Sequence, residues 1–293
     1  MFKGSIPALI TPMRDDGSID LAAWDRLLDF HLAAGSDGVV VGGTTGESPT
    51  LTGDELAAMI GRARTRLAGR VPVIAGSGGN STSRSVALSR AAAEAGADAL
   101  LVVTPYYNRP TQEGLYRHFT AIADAVGVPV ILYNVPSRTS CDLLPETVVR
   151  LAAHPRIVGI KEATGDVARG EAVVRLCPRD FVLLSGDDAS AVALMRIGAR
   201  GVISVTANIV PRAMHEVCAA ALAGRVEEAL ALDRRIAILH QALFVEPNPI
   251  PVKWAAQRMG LTDVGIRLPL TPLSEARHAE VEAAMRDAGV ALT

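Results

Sequence analysis

Lysine is scarce in this sequence. Of the 29 basic residues only Lys3, Lys161 and Lys253 are lysines, and all the others are arginines. Arginine stays charged at any accessible pH, whereas lysine can lose its proton and act as a nucleophile. Since arginine supplies positive charge elsewhere, a lysine inside an apolar segment is a candidate for chemistry, and Lys161 in the segment IVGIKEATG (157–165) is such a lysine.

Patterns for disulfides and metal ions are also missing. The three cysteines are widely separated without a CxxC spacing, and the six histidines form no HxH or HExxH pair. Paired cysteines or closely spaced histidines are what structural disulfides and zinc sites require. The sequence therefore predicts neither, and no metal cofactor.

Strong net charge and long apolar runs are absent as well. The formal net charge is -2, which offers no basic surface to a phosphate backbone, so we expect no nucleic-acid partner. No segment approaches the roughly 18 uninterrupted apolar residues of a membrane span, and Pro7 and Pro12 interrupt the apolar start that a signal peptide would need. We expect a cytoplasmic protein that does not bind membranes.

What the sequence does contain is eight short, almost continuously apolar runs separated by helical patterns. Such runs are typical of strands buried on both faces in a parallel sheet, which needs helical crossovers. The pattern predicts an α/β fold, a (β/α)8 TIM barrel, over residues 1–224. The runs cover residues 5–11, 38–43, 71–76, 99–105, 129–135, 157–163, 181–187 and 201–207.

The last quarter of the chain has a different pattern. Helical stretches at 226–243, 250–259 and 273–288 follow one another without a strand, and the proline-rich segment EPNPIPVK separates the first two. We expect residues 225–293 to form a helical segment packed on the barrel. A doubly wound sheet is the rival architecture, but it usually has a GxGxxG after its first strand, which this chain lacks.

Polar residues follow the apolar runs, at the end of a barrel where active sites form. Lys161 lies within the sixth run. Full burial of a lysine lowers its pKa, and a neutral amine can attack a ketone to form a Schiff base. The alternative is a structural lysine that either pairs with Glu162 or extends its amine to solvent. The pairing is poor, because neighbouring residues on a strand point to opposite faces.

Three further groups on the preceding runs are candidates for the same site. Tyr133, on the fifth run at a similar depth, is either a core aromatic or a proton shuttle beside the amine. Thr44 and Thr45, in a glycine-flanked turn, could present hydroxyls and backbone amides to a carboxylate or a phosphate. Arg138, expected in the loop after the fifth strand, is either a carboxylate clamp or a solvated surface arginine.

The motifs GTTGES, TPYYNRP, ILYNVPSRT, GIKEATG and GDDASA, in this order, closely resemble those of the dihydrodipicolinate synthase family. The similarity runs from about residue 4 to residue 272. The family consists of pyruvate-dependent barrel enzymes of bacterial lysine biosynthesis. The resemblance implies condensation of pyruvate with L-aspartate 4-semialdehyde to 4-hydroxy-tetrahydrodipicolinate, with no metal or organic cofactor.

The resemblance also implies a role for each site residue. Lys161 would form the imine with pyruvate, whose carboxylate Thr45 and the backbone at Ile203 would hold. Gly186 would line the pyruvate pocket, and Arg138 would receive the carboxylate of the semialdehyde. Protons would pass from Tyr133 through Thr44 to Tyr107, which in this family reaches in from a neighbouring subunit, and the family is usually a homotetramer made of two tight dimers.

A second set of positions bears on regulation. Lysine-inhibited members of the family bind the end product at the tight-dimer interface, and Ser48, Asn80 and Tyr106 match that site. Three other positions depart from it. Gly53 and Leu56 stand where inhibited members have histidines, and Arg84 replaces a glutamate, so we predict weak or absent inhibition by lysine. Ser140 also departs from a common glycine, which bears on the shape of the Arg138 loop.

Two alternative functions stay open from the sequence. Another pyruvate-dependent aldolase, of the N-acetylneuraminate lyase or keto-deoxy sugar acid type, would share Lys161 and Tyr133. Against it, Arg138 and the tyrosine pair suit a small second carboxylate better than a sugar chain. The other alternative is an inert barrel that binds a small acid, but its signature would be loss of the lysine or of the proton relay.

Overall fold

The computed structural model describes residues 2–293, and eight parallel strands form its centre. Seven of the strands lie within the apolar runs of the sequence, and Gly4–Pro7 begins one residue before its run. The strands are shorter than the runs, because the ends of several runs form loops. The strands are β1 Gly4–Pro7, β2 Val39–Val41, β3 Val73–Gly76, β4 Ala99–Val103, β5 Val130–Asn134, β6 Ile157–Glu162, β7 Val182–Ser185 and β8 Gly201–Ser204.

Helices connect the strands and cover the outside of the sheet. Helix α2, Gly53–Leu67, shows how the sequence fixes where a helix begins. The Thr52 hydroxyl accepts from the Glu55 amide at 3.2 Å, and the Glu55 carboxylate accepts from the Thr52 amide at 2.8 Å. The helices up to the last strand are α1 Leu21–Ala34, α2 Gly53–Leu67, α3 Thr82–Glu94, α4 Gln112–Asp124, α5 Pro136–Thr139, α6 Pro145–Ala152, α7 Val167–Leu176 and α8 Ala191–Arg196.

The sheet closes into a barrel. Its strands pair in the order β1-β8-β7-β6-β5-β4-β3-β2, and the two end strands meet through a parallel bridge between Ala8 and Val40. The Leu9 amide donates to the Val40 carbonyl at 3.0 Å beside this bridge. The (β/α)8 barrel predicted from the sequence is therefore confirmed.

Alternate side chains of the strands fill two separate layers, as the period of two in a strand requires. One layer lies between the sheet and the helices. The other fills the inside of the barrel and consists mainly of aliphatic side chains together with Tyr133. Its buried members are Ile6, Ala8, Val40, Ile74, Ala99, Leu101, Ile131, Tyr133, Val135, Val182, Leu184 and Ile203.

The C-terminal helices follow α9, Pro211–Leu222, and the first of them, α10 Val226–Arg234, packs directly against α9. The single helix predicted over 226–243 is wrong, because it is two helices that break at Arg235 and Ile236. Ile236 is 3% exposed, so the break turns an apolar side chain into the core. The segment comprises α10 Val226–Arg234, α11 Ala237–Ala242, α12 Ile250–Arg258 and α13 Glu275–Asp287.

Helix α10 thus packs on a helix of the barrel, while the division of the chain into a barrel over 1–224 and a helical segment over 225–293 stays a prediction. Across residues 2–293, every helix is too short or too polar to cross a membrane.

Candidate active site

Lys161 and Tyr133 lie side by side inside the barrel. The register of β5 against β6 pairs the two residues directly, and paired residues of neighbouring strands point to the same face. The Lys161 amine nitrogen lies over the ring of Tyr133, 4.3 Å from its centroid. Lys161 is 6% exposed and Tyr133 is 7% exposed, so the amine is shielded from bulk water next to an aromatic face.

Glu162 faces away from this amine, on the outer side of the sheet. Its carboxylate accepts a hydrogen bond from the Asn134 amide at 3.2 Å and from the Thr164 backbone amide at 2.9 Å. Burial raises the pKa of the Glu162 carboxyl, and these hydrogen bonds oppose that shift. The pairing of Lys161 with Glu162 is therefore excluded by geometry, as the alternation of strand residues predicts.

A glycine makes room for the lysine side chain. A Cβ atom added at Gly186 would lie 2.9 Å from Cε of Lys161 and 2.6 Å from Cβ of Ala163. Both separations are well below ordinary van der Waals contact, so any larger residue would displace the lysine. Ile203 lies on β8 in the same inner layer and is 1% exposed.

The turn after β2 carries the two candidate threonines. The Gly46 amide donates to the Gly43 carbonyl at 3.0 Å, and the Glu47 amide donates to the Thr44 carbonyl at 3.1 Å. Thr45 is 2% exposed, and its hydroxyl oxygen accepts from the Asn248 side-chain amide at 3.0 Å. Thr44 is only half-buried and lines a cavity at the mouth of the barrel.

This cavity has a volume of about 440 Å³ and reaches the inner layer at Val103 and Val135. It brings together Thr44 and Arg138 with all four positions of the possible effector site. No aspartate or glutamate of the described residues lines it, so its charge is positive. The sequence-predicted residues on its wall are Thr44, Ser48, Asn80, Arg84, Tyr106 and Arg138.

Arg138 lies on the one-turn helix α5, so its expected place in a loop is wrong. The helix starts at a proline, whose fixed φ suits the first turn, and the Arg138 side chain remains exposed. Buried Thr139 anchors the helix by accepting a hydrogen bond from Thr104 at 3.2 Å. Ser140 ends the helix with a φ of 51°, in the left-handed region that favours glycine.

Tyr107 is the candidate catalytic residue whose side chain the single chain leaves exposed to solvent. Its side chain is 89% exposed, and its φ is 73°. A large aromatic group held in a strained backbone conformation yet exposed to water has no stabilising packing within this chain. The chain therefore does not bring Tyr107 to Tyr133.

An ion pair next to the threonine turn was missed from the sequence. The buried amine of Lys253, on α12, donates to the carboxylate of Glu47, which has no exposed side-chain surface. The Arg267 backbone amide donates to the same carboxylate at 3.0 Å. Burial lowers the pKa of the Lys253 amine and Glu47 opposes that shift. The scarcity of lysine marked Lys253, but nothing local to it indicated its partner.

Residues 2–293 contain no cluster of three or more histidine, cysteine or carboxylate side chains that could hold a metal ion. What the arrangement offers instead is a shielded primary amine, an adjacent phenol and a cavity with two arginines. Such a site can form an imine with a ketone and receive carboxylates.

Comparisons with known proteins agree over the whole chain. The family model described as the dihydrodipicolinate synthetase family matches residues 1–288. Curated 4-hydroxy-tetrahydrodipicolinate synthases from Ectopseudomonas mendocina and Herminiimonas arsenicoxydans are 57% and 53% identical, each over 99% of both chains. A crystal structure of the chloride-inhibited dihydrodipicolinate synthase from Acinetobacter baumannii, complexed with pyruvate, has a TM-score of 0.98 and 52% identity, covering 99% of this chain and 100% of that chain.

Proposed function

Because the chain belongs to the dihydrodipicolinate synthetase family, we propose that Lys161 carries out its chemistry as a covalent Schiff base. The activity is that of a 4-hydroxy-tetrahydrodipicolinate synthase, a pyruvate-dependent lyase of lysine and diaminopimelate biosynthesis. The observation that carries the proposed role is the shielded amine of Lys161 over the ring of Tyr133.

The reaction starts with the amine of Lys161 attacking the ketone carbon of pyruvate, and loss of water gives the protonated imine. The imine draws electrons from the neighbouring methyl carbon, which loses a proton and becomes an enamine. The enamine carbon attacks the aldehyde of L-aspartate 4-semialdehyde. The amino group of that substrate then attacks the imine carbon, closes the ring and displaces the Lys161 amine.

Protons must move at several of these steps, and we assign them to a relay from Tyr133 through Thr44 to Tyr107. Supporting this, Thr44 lies on the cavity wall and Tyr133 beside the amine. Tyr107 would come from a second copy of the chain, which agrees with its exposed side chain and strained φ. We therefore propose a homotetramer, a dimer of tight dimers, in which each site is completed by its neighbour.

Four groups would hold the substrates. Thr45 and the backbone at Ile203 would bind the pyruvate carboxylate, Gly186 would line the pocket beside Lys161, and Arg138 would clamp the carboxylate of the semialdehyde. A planar guanidinium that lines the cavity and is not paired with an acid of its wall suits this task. The absence of a metal or organic cofactor and the cytoplasmic location stay predictions.

The aldolases for sialic acid or keto-deoxy sugar acids are not favoured, since the two curated relatives named above match 99% of this chain and are synthases. The inert barrel is not favoured either, since Lys161 and Tyr133 are present and adjacent.

Reductive trapping tests the Schiff base. Borohydride added with pyruvate should fix a pyruvate-derived mass on Lys161, and peptide mapping is simple because the chain has only three lysines. Lys161→Arg should fold but gain no mass. Exposed Lys3 provides the matched control, since Lys3→Arg should trap as the wild type does. A wild-type protein without an adduct, or with its adduct on Lys253, would overturn the proposed role.

A further inference from the structure

Asn248, in the C-terminal segment, contacts the threonine turn with an unusual hydrogen-bond pattern. The residue is 5% exposed, and its side-chain NH2 donates to the Thr45 hydroxyl oxygen at 3.0 Å. Its side-chain carbonyl oxygen is buried and has no hydrogen-bond partner within the described residues. Only the donating end of the amide is therefore used, and it is used on Thr45.

This contact decides which way the Thr45 hydroxyl can point. A hydroxyl has one hydrogen to donate and two lone pairs that accept. Because the Asn248 amide occupies a lone pair, the hydrogen of Thr45 stays free to donate elsewhere. A carboxylate can only accept hydrogen bonds, so a threonine arranged in this way is prepared to bind one.

The two residues are held in place by the ion pair beside them. Glu47 lies two residues after Thr45. Its partner Lys253 is on helix α12 and lies five residues after Asn248 in the sequence. The Lys253 amide also donates to the Pro249 carbonyl at 3.0 Å, at the start of that helix. The buried pair thus joins the turn after β2 to the C-terminal segment at the point where Asn248 meets Thr45.

We propose that Asn248 is a positioning residue for the pyruvate carboxylate, acting by fixing the direction of the Thr45 hydroxyl. The proposal rests on the proposed function, in which Thr45 binds that carboxylate. It gives the helical C-terminal segment a part in substrate binding, in addition to its packing on the barrel.

The substitution Asn248→Asp tests the direction of the hydrogen bond. Aspartate has nearly the same shape but cannot donate, so it would take the Thr45 hydrogen for itself and place a negative charge near the substrate carboxylate. We expect the KM for pyruvate to rise by about 10-fold or more, the cost of a hydrogen bond to a charged group. The kcat and the KM for the semialdehyde should change far less. Gln257→Glu, an amide-to-acid change on the nearby helix α12, is the matched control.

A second ligand separates positioning from a structural effect. Half-saturation of reductive trapping should shift to higher concentration in Asn248→Asp for pyruvate but not for methyl pyruvate, which lacks the carboxylate. If Asn248→Asp does not fold, Asn248→Ala replaces it with the same expected pattern and a smaller shift. A loose structure would instead affect both ketones alike.

These outcomes distinguish the positioning role of Asn248 from the proposed function on which it rests. An unchanged KM for pyruvate in Asn248→Asp, or equal shifts for the two ketones, would overturn the positioning role while wild-type trapping still supports the Schiff base. A wild-type protein that does not trap pyruvate would overturn the proposed function itself. Pairing Asn248→Ala with Thr45→Val should give effects that do not add, since both remove the same hydrogen bond.

Discussion

The amine of Lys161 lies 4.3 Å from the centre of the Tyr133 ring, above its face. The aromatic face is electron-rich and attracts cations, so it would stabilise the protonated imine that pyruvate forms. The hydroxyl of the same ring is the group proposed to move protons. One residue thus offers two separable contributions, a ring face and an acidic hydrogen.

The substitution Tyr133→Phe separates them. It keeps the ring face, so trapping of pyruvate on Lys161 should persist, while kcat should fall by about 100-fold to 10,000-fold from loss of the proton shuttle. Tyr116→Phe is the matched control, because Tyr116 stacks with Arg150 on the outside of the barrel. A Tyr133→Phe protein with wild-type kcat would remove the hydroxyl from the mechanism.

Lysine should inhibit this enzyme weakly or not at all. The cavity lined by Ser48, Asn80 and Tyr106 is also lined by Arg84, and no aspartate or glutamate among residues 2–293 lines it. Two unit charges of like sign at about 4 Å repel by about 4 kcal/mol at an effective dielectric constant of 20, and solvent reduces this value. Initial rates measured with millimolar lysine check the prediction, and strong inhibition would contradict it. Arg84→Glu should strengthen any inhibition by lysine that the wild type shows.

A methyl group at Gly186 should disable the site without unfolding the barrel. It would lie 2.9 Å from Cε of Lys161, so the lysine side chain must move. Since a displacement of about 1 Å can cost roughly 100-fold in rate, Gly186→Ala should lose most activity and trap pyruvate slowly. Gly127→Ala is the control, because a Cβ there would meet nothing within 4 Å. Equal activity of the two variants would show that Gly186 does not shape the pocket.

Ser140 should be a site where glycine stabilises the protein. Its φ of 51° is costly for a residue with a side chain, and glycine relieves this strain at some cost in chain entropy. Ser140→Gly should raise the free energy of unfolding by about 1 kcal/mol. Ser83→Gly, within the exposed part of α3, should lower it by about 0.5 kcal/mol. Urea unfolding compares the two, and a destabilised Ser140→Gly protein would contradict the strain argument.

Glu55 should contribute stability that acid removes. Its hydrogen bond with Arg267 lowers its pKa from 4.5 to about 2. A lowered folded-state pKa stabilises the protein above the unfolded pKa, and this stabilisation is lost as the pH falls from 4.5 towards 2. Glu55→Gln should therefore cost about 1–2 kcal/mol at neutral pH, after allowance for solvent screening, and progressively less towards low pH.

Thermal unfolding of the wild type and of Glu55→Gln over that pH range checks this dependence. Glu216→Gln, on the exposed side of α9, serves as the control for removing a carboxylate without an ion pair among the described residues. A stability difference that stays constant down to low pH would mean that the carboxylate of Glu55 is not the cause.

Part of the site could be predicted because strand geometry is local. Side chains alternate at every residue, so the sequence alone separated Lys161 from Glu162 and put Tyr133 at a similar depth to the amine. Register between β5 and β6 then paired Tyr133 with Lys161. The helix of Arg138 and the break at Ile236 were not predicted, since short helices and breaks depend on which side chains the surrounding core can bury.

By itself the sequence determined the eight almost continuously apolar runs between helical patterns, hence the barrel. It also determined the lysine among arginines that marks the reactive centre. Only the tertiary structure decided the surroundings of Thr45. The bond from Asn248 spans 203 residues and the pair of Lys253 with Glu47 spans 206. No local pattern encodes such contacts, because they form only when closure of the barrel brings the C-terminal helices over the turn after its second strand.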